Sequence, residues 1–234
     1  MKKLCLILFS VLIIAAPIFA QKLTKEQLVE KSNALFEGGK RQEAIDLIGE
    51  YPEFSDEPDV LYVKSVAYSE LRDYKNADIA FQKSFDLFLK NGAESLAIAD
   101  EYAAKTPATK EDKEMAALMY ETAAVSFGSA NLVNALRIVA FDKNGMPEAK
   151  RDPKNLAGFD NFVKDYEQSS LKLAELNAQN NKFGDAVANY GKAIELNPKS
   201  SAAYAGRAKV YRKLKKLRLA IADEKSARLY AAKK

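Results

Sequence analysis

The chain has 234 residues, 36 of them basic and 32 acidic, with a formal net charge of +4, no histidine and a single cysteine. Without histidine the chain lacks the commonest general base and metal ligand, which excludes serine–histidine and cysteine–histidine catalysis and ordinary zinc sites. The nearly balanced charge gives no steering toward nucleic acid, and the low content of glycine (10) and proline (7) favours an all-α fold.

Residues 1–20 have the three parts of a secretory signal peptide. Two lysines precede an apolar run from Leu4 to Ala16, and a small residue, Ala20, closes the segment. The run is shorter than the roughly 20 apolar residues that a membrane span needs. We therefore expect cleavage near Ala20 and export to the periplasm or the medium, with an uncleaved anchor as the alternative. Cleavage would leave 214 residues (234 − 20), remove Cys5 and lower the net charge from +4 to +2, because two lysines are lost.

Residues 21–90 contain small and bulky residues at intervals that predict two helix pairs. In the second pair, Ala77 and Phe81 share one helix face, and Tyr68 lies in the helix before it. Ala44 lies 33 residues before Ala77, and the two glycines at 38 and 39 precede it at the predicted turn. The spacing therefore predicts two consecutive copies of one structural unit.

Residues 91–160 form a divergent helical segment. Apolar residues recur every three or four positions on both sides of Thr106-Pro107, which predicts a further helix pair. The stretch SANLVNALRIVAF is interpreted as another helix, although its RIVAF end is also compatible with a strand. A polar, turn-rich loop is predicted over residues 142–155, and a long helix from about Leu156 to Asn181.

Residues 161–234 repeat one pattern at an offset of 34 residues, from Ala186 to Ala220. After Ala186 come a bulky residue, Tyr190, a small one, Ala193, and the helix-ending Pro198. Small residues let two helices approach closely, and the aromatic side chain fills the space between neighbouring pairs. The pattern predicts two further units whose faces cover one another.

These residues resemble the tetratricopeptide repeat family, whose unit is a 34-residue antiparallel helix pair. In the last unit, Tyr204, Ala208 and Tyr211 match the large–small–large set of the family's first helix. Glu224 departs from the family, which usually has an aromatic residue there. The resemblance implies an all-α, right-handed superhelical solenoid of antiparallel helix pairs with an irregular middle segment, in an exported protein of bacterial type.

The resemblance also implies a binding site, because members of the family bind partners through first-helix side chains that line a concave groove. The corresponding residues here, mixed or weakly acidic early and basic at the C-terminal end, are Tyr62, Glu70, Gln168, Glu175, Gln179, Lys209, Arg212 and Lys213. A lysine set that some members use to hold peptide carboxylates is not matched. Tyr62, Leu171 and Ala205 occupy positions where that set has a lysine.

No stretch of the sequence has the residue pattern of a catalytic or ligand-binding motif. Asp142–Gly145 has its glycine too early for a calcium loop and is interpreted as an Asn-Gly turn. Gly38-Gly39 is not preceded by a strand, so it is not a phosphate loop. We expect a non-catalytic protein–protein interaction module that needs no cofactor and no metal. The alternatives are a small-molecule binder or enzyme that uses the middle segment, and a membrane-surface protein held by the basic helix around residues 207–218.

Overall fold

The structure, a computed structural model, describes residues 22–143 and 159–232. The predicted signal segment and most of the predicted loop at 142–155 lie outside these ranges. Nine α-helices, and no strand, are found in the described residues. They are α1 (Lys25–Glu37), α2 (Arg41–Gly49), α3 (Pro58–Glu70), α4 (Tyr74–Ala104), α5 (Lys110–Lys143), α6 (Phe159–Gln179), α7 (Phe183–Leu196), α8 (Ser201–Lys213) and α9 (Leu217–Ala231). The all-α prediction is confirmed, and the strand alternative for RIVAF is wrong, because α5 continues to Lys143.

Four tight turns of one geometry reverse the chain within the helix pairs. Each contains one residue in the left-handed region, namely Gly39, Arg72, Asn181 and Lys215, with φ between 58° and 80°. The amide of the next residue donates a hydrogen bond of 2.8–2.9 Å to a carbonyl five residues back, as in Lys40 N to Leu35 O. This bond satisfies a carbonyl at the helix end that has no partner within the helix. The shared turn produces the antiparallel pairs α1–α2, α3–α4, α6–α7 and α8–α9.

A fully or almost fully buried alanine lies at the helix crossing of each pair. Ala44, Ala77, Ala186 and Ala220 are inaccessible to solvent in α2, α4, α7 and α9, and Ala116 is 2% exposed in α5. A methyl side chain lets the two backbones approach closely, so neighbouring pairs interlock into a continuous core. The chain is therefore a solenoid of antiparallel helix pairs, with Ala186 and Ala220 in equivalent positions.

The middle of the chain differs from a simple array because α4 and α5 are long. Pro198 lies twelve residues after Ala186, just beyond the end of α7, and prevents that helix from continuing. The equivalent position, twelve residues after Ala77, is Leu89, which allows α4 to continue. The predicted boundary between residues 90 and 91 therefore lies inside α4. Helix α5 returns antiparallel along α4. Gly92 gives the room for this contact, since a Cβ there would lie 2.7 Å from the Phe127 ring.

Three apolar clusters connect the helices into one body. The central cluster joins α4, α5 and α6 through aromatic contacts such as Phe85 with Phe162, whose ring centroids are 5.5 Å apart. Smaller clusters around Ile48 and Tyr190 hold the N-terminal and C-terminal pairs. Among the described residues, α5 is the one helix long and apolar enough to cross a membrane, although it packs into the central cluster along one face.

Candidate partner-binding groove

A cavity of about 620 Å³ lies where the tip of the α4–α5 hairpin meets the C-terminal end of α6. Tyr102 of α4, Ala116 and Tyr120 of α5, and Leu176 of α6 form its apolar part. Two predicted groove residues, Glu175 and Gln179, line it on the α6 side. The structure thus places this pair of predicted residues in one cavity, opposite a wall that α5 supplies.

A polar network connects Gln168, the third predicted groove residue of α6, to α4 and α5. The Tyr120 hydroxyl donates a 2.6 Å hydrogen bond to Asp100 Oδ1, and Gln168 Nε2 donates to Asp100 Oδ2 at 3.4 Å. Burial and the bond to Asp100 raise the pKa of Tyr120 above its ordinary value, so its hydroxyl stays protonated. The network fixes α4, α5 and α6 relative to one another beside the cavity.

The rim of the cavity carries charges of both signs. Lys110 pairs with Glu114 at 3.4 Å along the surface of α5. Lys113 and Lys172, from α5 and α6, line the same cavity and are exposed. In the described part of the chain neither of these two lysines forms an ion pair. They leave two positive charges available beside the carboxylate of Glu175.

Of the two predicted residues of α3, Tyr62 and Glu70, only Glu70 lies in a second cavity, of about 480 Å³. Glu70 lines it and pairs with Arg41 of α2 at 3.5 Å. Tyr62 is half-buried and packs against the N-terminal and central clusters. Leu136 and Val139 of α5 form the opposite wall. This cavity is separate from the one that contains Glu175.

The three predicted residues of α8 have different surroundings. Lys209 is exposed. The Arg212 guanidinium donates two hydrogen bonds, of 2.5 and 2.9 Å, to the Glu224 carboxylate of α9. The Lys213 ammonium lies 5.3 Å from the centre of the Phe183 ring. Two of the three cationic groups therefore already contact other helices, and their role in partner binding stays a prediction.

Several residues of the main cavity could not be identified from the sequence. Lys113, Lys172 and Tyr102 come together only because α4 runs on past residue 90 and α5 folds back on it. The one available sequence signal for the long α4 was a leucine, Leu89, at the position equivalent to Pro198. Within the described residues, no group of three or more acidic or cysteine side chains is placed to hold a metal ion.

Comparison with known families agrees with the helix-pair arrangement. The tetratricopeptide repeat family matches residues 58–91 and 160–200. No curated protein sequence matches the chain.

Three solved structures are similar to this chain. They are an assembly chaperone of RpL4, Acl4 (11% identity, 88% of this chain and 74% of that chain, TM-score 0.43), a MamA double mutant (13%, 89% and 94%, 0.29) and the C-terminal part of a TPR repeat-containing protein from Cytophaga hutchinsonii (16%, 87% and 79%, 0.27).

The matched segments coincide with structural units. The first covers α3 and the N-terminal half of α4, and the second covers α6 and α7. Both contain the left-handed turn and the buried alanine that recur along the chain. Repeats of this type form scaffolds for protein–protein interaction. The two matched segments are tetratricopeptide-type repeats within an all-α chain.

Proposed function

We propose that this chain is an exported, non-catalytic scaffold that binds a segment of a partner protein in the cavity between α4, α5 and α6. The observation that carries the proposal is the convergence of Glu175 and Gln179 with Lys113 and Lys172 around one apolar floor. Apolar contacts supply most of the binding free energy of such segments, and surrounding polar groups determine their orientation.

The charges of the cavity indicate the kind of segment that it accepts. Apolar side chains of the partner would contact Leu176, Ala116 and the Tyr102 ring. An acidic side chain on the same segment would pair with Lys113 or Lys172, because these ammonium groups have no competing carboxylate partner within the described residues. We therefore propose a segment that combines apolar and acidic residues.

Charge reversal tests the site. The double variant Lys113→Glu/Lys172→Glu is compared with Lys225→Glu, which changes an exposed lysine on α9, far from the cavity. Affinity capture from the native cells should recover one abundant partner with the unmodified chain and with the control. The double variant should recover at least about tenfold less, which corresponds to 1.4 kcal/mol. Equal recovery with all three proteins would contradict the proposed site.

The basic end of α8 is tested separately. Substituting Lys209, Arg212 and Lys213 together by glutamate removes the positive charge of the predicted C-terminal groove. Loss of the partner with this variant alone would move the binding surface from the main cavity to α8. Release of the chain from membranes by high salt, with this triple variant already soluble, would instead favour a peripheral contact with anionic lipid.

Export is tested by the mass of the protein isolated from fractionated cells. A chain that begins at Gln21 in the periplasm or the medium is expected. A chain that retains residues 1–20 and resists extraction by salt would show an uncleaved anchor instead.

The size of the main cavity favours a small molecule as the second candidate ligand, since small-molecule sites commonly have volumes of about 300–1,000 Å³. The two candidates are distinguished by the method that detects each of them. A small ligand would be retained through purification in native buffer and detected by mass spectrometry after denaturation. A protein segment would be cross-linked to the chain and detected as a peptide.

A further inference from the structure

The solvent side of α5 carries an apolar stripe that is mostly exposed, although Leu136 packs half-buried against the central cluster. Met115, Leu118, Val125, Leu132, Leu136 and Val139 lie on it, and Thr122 and Ser129 occupy its two remaining positions. Successive residues of this set, called here the α5 seam, are separated alternately by three and four positions. That spacing is the 3.5-residue period by which one helix packs along another.

The seam is open to solvent over most of its length. Val125 is 64% exposed, Leu118 and Leu132 are each 53% exposed, and Val139 is 48% exposed. The core uses the other side of the helix, where Phe127 is buried. Burying large aliphatic side chains that now face water would release about 25 cal/mol for each Å² of apolar surface. Packing among the described residues therefore leaves most of the seam uncovered, which makes it available as a docking surface.

The composition of the seam is suited to a second copy of the same helix. From Thr122 to Leu136 the helix has no charged residue, so two copies can approach without repulsion or desolvation of charge. The seam is nearly symmetric about residue 127, because positions at equal distances before and after it carry side chains of similar size. Leu118 would lie opposite Leu136 of a reversed copy, and Val125 opposite Ser129.

The two ends of the seam determine the direction of pairing. The same spacing continues to Glu111 at the N-terminal end and to Lys143 at the C-terminal end, and both side chains are exposed. In a parallel pair, Glu111 would face Glu111 of the second copy and Lys143 would face Lys143, so like charges would repel. In an antiparallel pair centred at residue 127, Glu111 faces Lys143, which favours association.

We infer that two copies of this chain associate through an antiparallel pairing of their α5 seams about a two-fold axis near residue 127. The contact extends over the 25 residues from Met115 to Val139, a length of about 36 Å. It leaves the cavity that contains Glu175 open. Because Leu136 and Val139 also line the smaller cavity in front of α3, the second copy closes that cavity.

Sedimentation of the protein, in the form that its native cells accumulate, tests the association. A dimer is expected at micromolar concentration. The variant Val125→Glu/Leu132→Glu should be monomeric, with a dissociation constant raised about a hundredfold or more, because it places carboxylates in the apolar contact. Both positions are more than half exposed, so the helix content should not change. The control Ile221→Glu alters an equally exposed residue of α9 and should remain dimeric.

Disulfide formation tests the direction of pairing. In a Cys5→Ser background, Leu118→Cys/Leu136→Cys should give a covalent dimer under mild oxidation. The two introduced thiols of one chain lie about 27 Å apart along the helix, too far to join each other. Leu118→Cys alone should stay uncross-linked.

Three results would overturn the inference. They are a wild-type monomer at 100 µM, a dimer unaffected by Val125→Glu/Leu132→Glu, and cross-linking by Leu118→Cys alone. A monomer that floats with phosphatidylcholine vesicles would show that lipid, and not a second copy, covers the seam.

Discussion

Gly206 of α8 lies against the ring of Tyr190 of α7, at the contact between the last two repeats. A Cβ at residue 206 would lie 2.3 Å from Cε1 of that ring. Tyr190 is itself 4% exposed, so it has little space in which to move. The glycine therefore sets the distance between α7 and α8, and a methyl group at this position would force the two helices apart.

Gly206→Ala should lower the free energy of unfolding by about 1–3 kcal/mol through overpacking, despite the higher helix propensity of alanine. Thermal or urea unfolding measures the change. Gly184→Ala is the matched control, because a Cβ at residue 184 has no neighbouring atom within 4 Å. The control should be neutral or slightly stabilising, and equal destabilisation by both variants would refute the account of the contact.

Asp112 stabilises the start of α5 as a carboxylate. It accepts hydrogen bonds from Lys105 Nζ at 2.8 Å and from the amide and hydroxyl of Thr109. These bonds, that of Lys105 first, lower the pKa of Asp112 from its ordinary 3.8 to about 2. A lowered carboxyl pKa adds stability above the ordinary value, and this stability is lost as the pH falls through the folded-state pKa.

Asp112→Asn should therefore lower the free energy of unfolding at neutral pH. The difference in free energy of unfolding between the variant and the wild type should shrink as the pH falls from 4 to 2. Urea unfolding across that range measures the difference. A carboxyl titration of Asp112 by NMR near its ordinary pKa, or a difference that does not vary with pH, would contradict this assignment.

Individual residues illustrate what the sequence could predict. Gly39 was predicted at a turn, and its φ of 80° confirms the turn and lies in the left-handed region that glycine adopts without strain. Arg72 and Lys215 adopt the same left-handed conformation without any sequence signal, because the flanking helices impose it. Each lies five residues before the buried alanine of its pair, Ala77 or Ala220, so the turn follows the repeat position and not the residue type.

At the scale of elements, α8 and α9 are joined by two arginine–carboxylate pairs of unequal burial. Arg207 donates two hydrogen bonds, of 2.8 and 2.9 Å, to Asp223, whose side chain is 9% exposed. The Arg212–Glu224 pair lies at the surface.

Asp223→Asn should lower the free energy of unfolding by about 1–3 kcal/mol, because it leaves a largely buried guanidinium without its counter-charge. Glu224→Gln removes the exposed partner of Arg212 and should change stability little, since solvent screens that pair. The two variants differ only in burial, so equal effects in urea unfolding would contradict the structural role assigned to the inner pair.

The identity of most elements was predictable, whereas their lengths in the middle were not. The helix pair on both sides of Thr106-Pro107 was predicted from its spacing. The continuous α4 was not, because the repeat pattern sets an expectation of a break near residue 90. Because residue 89 is a leucine and not a proline, the helix does not break there. Packing of Gly92 against Phe127 stabilises the unbroken helix.

At the scale of the whole molecule, the predicted solenoid is confirmed, but the predicted groove residues are divided between separate cavities. A uniform array would place the predicted first-helix residues along one groove. The long α5 instead separates the surroundings of Glu70 from those of Glu175, and it adds lysines that no repeat position specifies. Whether these residues share one groove depends on how the divergent middle packs, which spacing alone does not determine.

Site-specific photo-cross-linking in the native cells tests the central claim most directly. A photoreactive residue replaces Gln179, in the main cavity, or Lys225, on the outer side of α9. We predict that the chain substituted at residue 179 forms an adduct with one partner protein, and that Lys113→Glu/Lys172→Glu abolishes this adduct. An adduct of equal yield from residue 225, or none from residue 179, would contradict a partner-binding site in the cavity between α4, α5 and α6.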